Sequence, residues 1–169
     1  MSGLRVIAGA SFRRDGPSKF HDLARALRDA EPTALDAVVA VVLAGLARDA
    51  PELAASTDAI LVPMAGHLAG TVSGSARRLA GRLAADHPAW TASIGPERIA
   101  DAPRAVDAGP RDPAAEAATL RWSDIPGAGP VFLVDDVVHT GASLDAAWLA
   151  APPALRERLV ALVAFRAEG

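Results

Sequence analysis

The stretch best equipped for chemistry reads Val131-Phe132-Leu133-Val134-Asp135-Asp136-Val137-Val138-His139-Thr140-Gly141-Ala142-Ser143. A hydrophobic strand over Val131–Val134 ends in two adjacent carboxylates, and a short loop with Thr, Gly and Ser leads into a helix. Backbone N–H groups at such a helix start, aided by the Thr140 and Ser143 hydroxyls, form a phosphate cradle. Gly141 lets the backbone approach an anion closely. Asp135 and Asp136 cannot bind phosphate themselves. Placed beside a phosphate site, they suit ribose hydroxyls or a cation-bound ligand.

Other chemistries lack their residues. Lys19 is the only lysine, so the Gly-Lys-Ser/Thr tripeptide of a P-loop is missing. The lysine that follows the acids in phosphorylation receivers and haloacid-dehalogenase-type phosphatases is missing as well. With no cysteine there is no thiolate zinc site, disulfide framework or cysteine nucleophile. The histidines, His21, His67, His87 and His139, show no metal-ligand spacing. No Gly-x-Ser-x-Gly elbow occurs, and Val72-Ser73-Gly74-Ser75 reads as a helix start.

The elements that must position the acids follow from pattern. Leu4–Ala8 reads as a strand, which Arg13-Arg14-Asp15-Gly16 then breaks. Ser18 is placed to cap a helix carrying Phe20, Leu23, Ala24 and Leu27 at helical spacing. Thr33 with Asp36 resembles a capping box opening a second helix to about Arg48, apolar on nearly every side and expected deep in the fold. Asp58–Pro63 reads as a buried strand, and a Gly-bearing loop over residues 64–74 leads to a helix over Ser75–Asp86, which His87-Pro88 stops. Trp90–Ile94 is a further strand. Gly95–Pro113 has no clear period and reads as a functional or disordered loop. Ala114–Trp122 is left open between helix and extended chain, and Pro126–Pro130 is a turn. A helix over Ala142–Leu149 and a strand over Leu159–Phe165 close the chain. Strands alternating with helices predict an α/β fold on a mostly parallel central sheet flanked by helices. Ligands then belong beyond the carboxyl ends of the strands, after Val62 and after Val134.

The Val131–Ser143 segment resembles the motif for 5-phosphoribosyl 1-pyrophosphate (PRPP) of type I phosphoribosyltransferases: four hydrophobic residues, two acids, two more hydrophobics, then a Thr-Gly-x-Ser/Thr loop. The resemblance implies that fold as a single domain over residues 1–169, with a small variable hood. It implies that Asp135 and Asp136 hold the ribose 2′- and 3′-hydroxyls, and that His139, Thr140, Gly141, Ala142 and Ser143 wrap the 5′-phosphate. It also makes Asp135, Asp136 and His139 the catalytic candidates. Ile60–Pro63 followed by Met64-Ala65-Gly66-His67 is similar to the strand and pyrophosphate-binding loop of that fold. Gly95–Pro113 falls where the family places a closing loop, so that Arg98, Arg104 and Arg111 would meet pyrophosphate charge. The family often has Thr or Asp where His139 stands. The layout also resembles the ComF-like group, without its N-terminal cysteine cluster or its Arg-Gly-Phe-Asn stretch.

The implied activity is transfer of a phosphoribosyl group from PRPP to a nucleobase-like nitrogen acceptor. Mg²⁺ would be the cofactor, held mainly through PRPP, with no metal bound directly by the protein. The alternative is a PRPP-sensing protein without catalysis. A homodimer is compatible with either.

Composition sets the frame. The 169 residues are 51% hydrophobic, which fits one folded domain with its own core. A net charge of −3 offers no basic field, so no nucleic-acid partner is expected. Neither a secretory signal nor a bilayer-length apolar run is visible, and a cytoplasmic location without membrane attachment is expected.

Overall fold

The computed structural model describes residues 3–13, 18–102 and 112–168. Strand β1 (Arg5–Arg13) leads to helices α1 (Lys19–Arg28), α2 (Pro32–Asp49) and the short α3 (Pro51–Ala54). Strand β2 (Ile60–Pro63) is followed by α4 (Gly74–Asp86), β3 (Thr91–Ala92) and β4 (Glu97–Arg98). Then come α5 (Pro113–Ala117), β5 (Leu120–Arg121), β6 (Val131–Val138), α6 (Ala142–Ala150), α7 (Pro153–Arg156) and β7 (Leu159–Glu168). The central sheet has five strands in the order β1-β7-β6-β2-β3, all parallel, with helices on both faces. A separate antiparallel ribbon joins β4 to β5.

Local chemistry explains most boundaries. Ser18 caps α1 by accepting from the Phe20 N–H at 3.2 Å, as expected. Ser73 caps α4 through the Ala76 N–H, and His87 ends it. Helix α2 starts differently from the expected capping box: Glu31 is the N-cap, with no side-chain bond, and Pro32 occupies the first turn. Proline there has the helical φ already and no N–H to satisfy, so Thr33 and Asp36 are not needed as a cap. Nor is α2 buried all round. Val38, Val39, Val42 and Leu46 face the core, while Ala40, Ala44 and Ala47 are exposed; the outer face is apolar only because alanine favours helix.

Several strands differ from expectation in length, β1 running on past Ala8 to Arg13 and β7 past Phe165 to Glu168. Trp90–Ile94 supplies only Thr91–Ala92, at the edge beside β2. Trp90 instead turns inward and donates Nε1–H to the Ser56 carbonyl at 2.8 Å. Strand β6 runs on past Val134 through both acids to Val138, because β7 keeps pairing with it as far as Val138↔Arg166. Part of Gly95–Pro113 is structured as β4, with Arg98 paired to Leu120; residues 103–111 lie outside the described residues. Ala114–Trp122 divides into the end of α5 and all of β5. Among the described residues no helix is long and apolar enough to cross a membrane.

Alternate strand residues feed two hydrophobic clusters, one under α1, α2 and α4, the other under α6 and α7. The alternation breaks at one level in three adjacent strands. In β6, Phe132 and Val134 join the first cluster, yet so does Val137. In β7, Leu162 and Ala164 are followed by Phe165 and Ala167 on that same side. In β1, Ile7 is followed by Ala10 and Phe12. The pairs Ala8↔Val163 and Asp135↔Val163 lie before the break, and Ala10↔Phe165 and Val137↔Phe165 after it. Gly9, Ala164 and Asp136 therefore occupy the row where the faces exchange.

Helix α2 crosses β1 at this row. A Cβ on Gly9 would lie 2.8 Å from the Ala164 oxygen, and one on Gly45 would lie 2.7 Å from the Gly9 Cα. Two glycines permit a backbone-to-backbone approach that any side chain would block.

Candidate functional site

Strands β2 and β6 pair from Ile60↔Val131 to Pro63↔Val134, and the Met64 N–H donates to the Val134 carbonyl at 2.9 Å. Beyond that bond the chain from β2 peels away as a loop while β6 continues. The result is a cleft of about 510 Å³ at the carboxyl ends of the two strands. Its walls are residues 64–68 and 71–74, Arg98, Ala102, Asp135, Asp136 and Ser143. The two segments singled out in the sequence, the loop Met64-Ala65-Gly66-His67 and the acid pair, thus meet in one place. Adjacent residues of a regular strand point to opposite faces. Asp135 and Asp136 nonetheless both line the cleft, because β2 stops pairing with β6 at Val134 and leaves both residues beside the opening.

The loop after β2 is braced. Ala65 bridges Val72, the Gly66 N–H donates to the Thr71 carbonyl at 2.9 Å, and the Ser73 N–H donates to the Met64 carbonyl at 3.0 Å. From the side, the Ala69 N–H reaches Asp101 Oδ1 at 2.7 Å and the Gly70 N–H reaches the Arg98 carbonyl at 2.8 Å. Arg98 itself donates Nε–H to the Gly66 carbonyl at 2.5 Å, Nη1 to Thr119 Oγ1 at 2.6 Å and Nη2 to Glu116 Oε1 at 3.0 Å. Arg98, expected as a pyrophosphate-facing cation of a closing loop, is thus part of the cleft wall, and three of its donors hold the loop and the ribbon together. Arg104 and Arg111 lie outside the described residues.

The acids differ from one another. Asp136 accepts from Ser75 Oγ at 3.0 Å, from Arg28 Nε at 3.2 Å and from the Val137 N–H at 2.7 Å. Asp135 accepts from the Asp136 N–H at 2.9 Å. Burial within the cleft wall, followed by the neighbouring Asp136 charge, raises the Asp135 carboxyl well above the ordinary carboxylate range.

On the other wall, Gly141 caps α6 with φ 80, a left-handed conformation that glycine adopts freely. The Thr140 Oγ1 accepts from the Ala142 N–H at 3.4 Å. Ser143, in the first turn of α6, lines the cleft; His139 and Thr140 are exposed and do not, nor do Gly141 and Ala142. The cleft therefore collects the acids, the loop 64–67 and Ser143 from the expected set, and leaves His139 at its margin.

Arg28 and Ser75 are the residues that sequence reasoning missed. Ser75 had a visible signal, the paired serines at the start of α4. Arg28 had none, being 108 positions from its partner.

No family model matches the chain, no curated protein matches it in sequence, and no solved structure matches its fold.

Proposed function

We propose that this protein binds PRPP with Mg²⁺ and transfers its phosphoribosyl group to a nitrogen acceptor, with the type I phosphoribosyltransferase fold as its framework. The observation that carries the reading is the convergence of the acid pair, the 64–67 loop and Ser143 on one cleft at the carboxyl ends of β2 and β6. Sugar hydroxyls suit the acids, the 5′-phosphate suits the hydroxyl and first-turn amides of α6, and the pyrophosphate suits the wall made by the loop and the first turn of α4.

In the transfer, the bond from ribose C1 to the pyrophosphate oxygen breaks and its electron pair leaves with pyrophosphate. The acceptor nitrogen forms the new bond to C1 and gives up its proton to solvent or a neighbouring base. Positive charge develops at the ribose, so a carboxylate beside it stabilises the transition state and no protein nucleophile is required. Mg²⁺ supplies charge neutralisation for the leaving pyrophosphate. The described residues gather no group of three or more His, Cys, Asp or Glu able to hold a metal. In this reading the cation would be carried on the ligand's own oxygens, with Asp135 as a carboxylate that could stand beside it.

The second reading, a PRPP-sensing protein, is favoured by Asp136 already being engaged by Arg28 and Ser75. One experiment separates the two: calorimetric titration with Mg²⁺-PRPP, then pyrophosphate release across a panel of bases. Binding with release supports transfer, and binding without release from any base supports sensing. Absence of binding by folded protein removes both. Asp135→Asn with Asp136→Asn together should weaken PRPP by about 1.5–3 kcal/mol.

A further inference from the structure

Asp135 and Asp136 are neighbours in unlike surroundings. The Asp136 carboxylate receives three donors, from Ser75, Arg28 and the Val137 N–H, out of the roughly four a carboxylate can take. Ser75 stands in the first turn of α4, so this carboxylate also lies where the helix dipole favours negative charge. Ser73 Oγ sits 3.1 Å from Ser75 Oγ and extends the network. Asp136 is only 15% exposed.

Arg28 is itself placed with care. It is the last residue of α1, and the chain turns away through Ala30 at φ 63, a conformation L side chains rarely adopt. Arg78 of α4 donates to the Leu27 carbonyl at 2.6 Å and to the Arg28 carbonyl at 3.4 Å. Arg78 thus anchors the end of α1, from which the Arg28 guanidinium reaches one acid of the pair.

We propose that the carboxylates divide the work: Asp136 is a positioning residue, locked by Arg28 and Ser75, and Asp135 alone is presented to the ligand's hydroxyls and cation. This rests on the phosphoribosyl reading. The lock fixes β6 at the row where its faces exchange, and so holds Asp135 on the cleft wall. Arg28 acts through Asp136 and does not itself touch the ligand.

The test titrates Mg²⁺-PRPP into wild type, Asp135→Asn, Asp136→Asn, Arg28→Ala, Arg28→Lys and the Arg28→Ala/Asp136→Asn double variant, with thermal unfolding of each. Asp135→Asn should weaken binding on the order of tenfold or more, with no fall in Tm. Asp136→Asn should lower Tm as well, because Arg28 and Ser75 lose an anionic partner. Arg28→Ala should weaken binding severalfold with little change in Tm, since its side chain is 53% exposed and exposed pairs stabilise little. Arg28→Lys should recover part of that affinity, and Arg28→Ala should add nothing once Asp136 is Asn. Additive losses in the double variant would mean that Arg28 meets the ligand directly, which overturns the proposal. So would an Asp136→Asn protein with unchanged Tm and the same affinity loss as Asp135→Asn. A folded wild type that does not bind PRPP sinks the phosphoribosyl reading and the ligand half of this proposal together, a result unlike either of those two.

Discussion

Arg98 and Glu116 form an ion pair at 3.0 Å with side chains only 3% and 6% exposed. Two further donors of Arg98 hold the Gly66 carbonyl and Thr119. One buried cation thereby joins the loop on the cleft wall, the β4–β5 ribbon and α5. A buried pair contributes little over an apolar replacement, but losing one partner strands the other charge.

Arg98→Met should therefore destabilise the protein by about 3–5 kcal/mol, measured by urea denaturation. Glu116→Gln should cost less, because an amide oxygen still accepts from the guanidinium. Equal losses for the two would indicate that the charge is not what holds the ribbon.

The close crossing of α2 over β1 yields a second prediction. A methyl at Gly9 would come 2.8 Å from the Ala164 oxygen and 2.9 Å from Val41 Cγ1. Gly9→Ala forces the backbones apart and should cost about 1–3 kcal/mol, as overpacking does. Denaturant midpoints of the two proteins check it; coincident midpoints would show that α2 can shift freely at this row.

The sequence made some of this legible and hid the rest for physical reasons. Local signals survived: Ser18 as a cap, His87-Pro88 as a stop, and the apolar runs that became the centres of β2, β6 and β7. That residues 64–67 and the acid pair would line one cleft was also legible, since parallel strands leave their carboxyl-end loops on one edge. The extent of β6 was not, because its last residues are strand only through pairing with β7, to which Asp135 and Asp136 give no local clue. Arg98 read as a loop cation because burial beside Glu116 is a tertiary property, and the Arg28–Asp136 pair joins helix to strand across most of the chain.

The acid pair predicts an unusual pH dependence. The folded Asp135 carboxyl titrates above its ordinary value of 3.8, through burial first and the Asp136 charge second. The folded protein then holds a proton that the unfolded chain has already released, so stability falls as pH rises from about 3.8 through the folded value. Asp135→Asn removes this cost while keeping an oxygen for the Asp136 N–H. Its Tm should exceed that of wild type at neutral pH, and the gap should close at pH values below the ordinary carboxyl range. A gap that is constant with pH would show that the effect is not electrostatic. Higher stability together with lost PRPP affinity would mark Asp135 as a residue kept for binding at the expense of the fold.

His139 lies between the acid pair of β6 and the start of α6. Histidine at that place can donate, accept or carry charge near neutral pH, which made it a candidate for proton transfer to or from an acceptor. The structure puts it in the turn between β6 and α6, exposed and outside the cleft wall, while Ser143 one turn on is part of that wall. A proton-transfer group must reach within hydrogen-bond distance of the reacting atom. His139→Thr should accordingly leave PRPP affinity within about 0.5 kcal/mol, as for a surface substitution. It should also leave the pH profile of kcat/KM for pyrophosphate release with the same limbs as wild type. The profile is the deciding measurement, because affinity alone does not report on proton transfer. A limb near neutral pH that is present in wild type and missing in His139→Thr would return the imidazole to the reaction, brought there by closure of the turn over bound ligand. Matching profiles would leave Asp135 and Ser143 as the side chains that β6 and α6 contribute to the ligand.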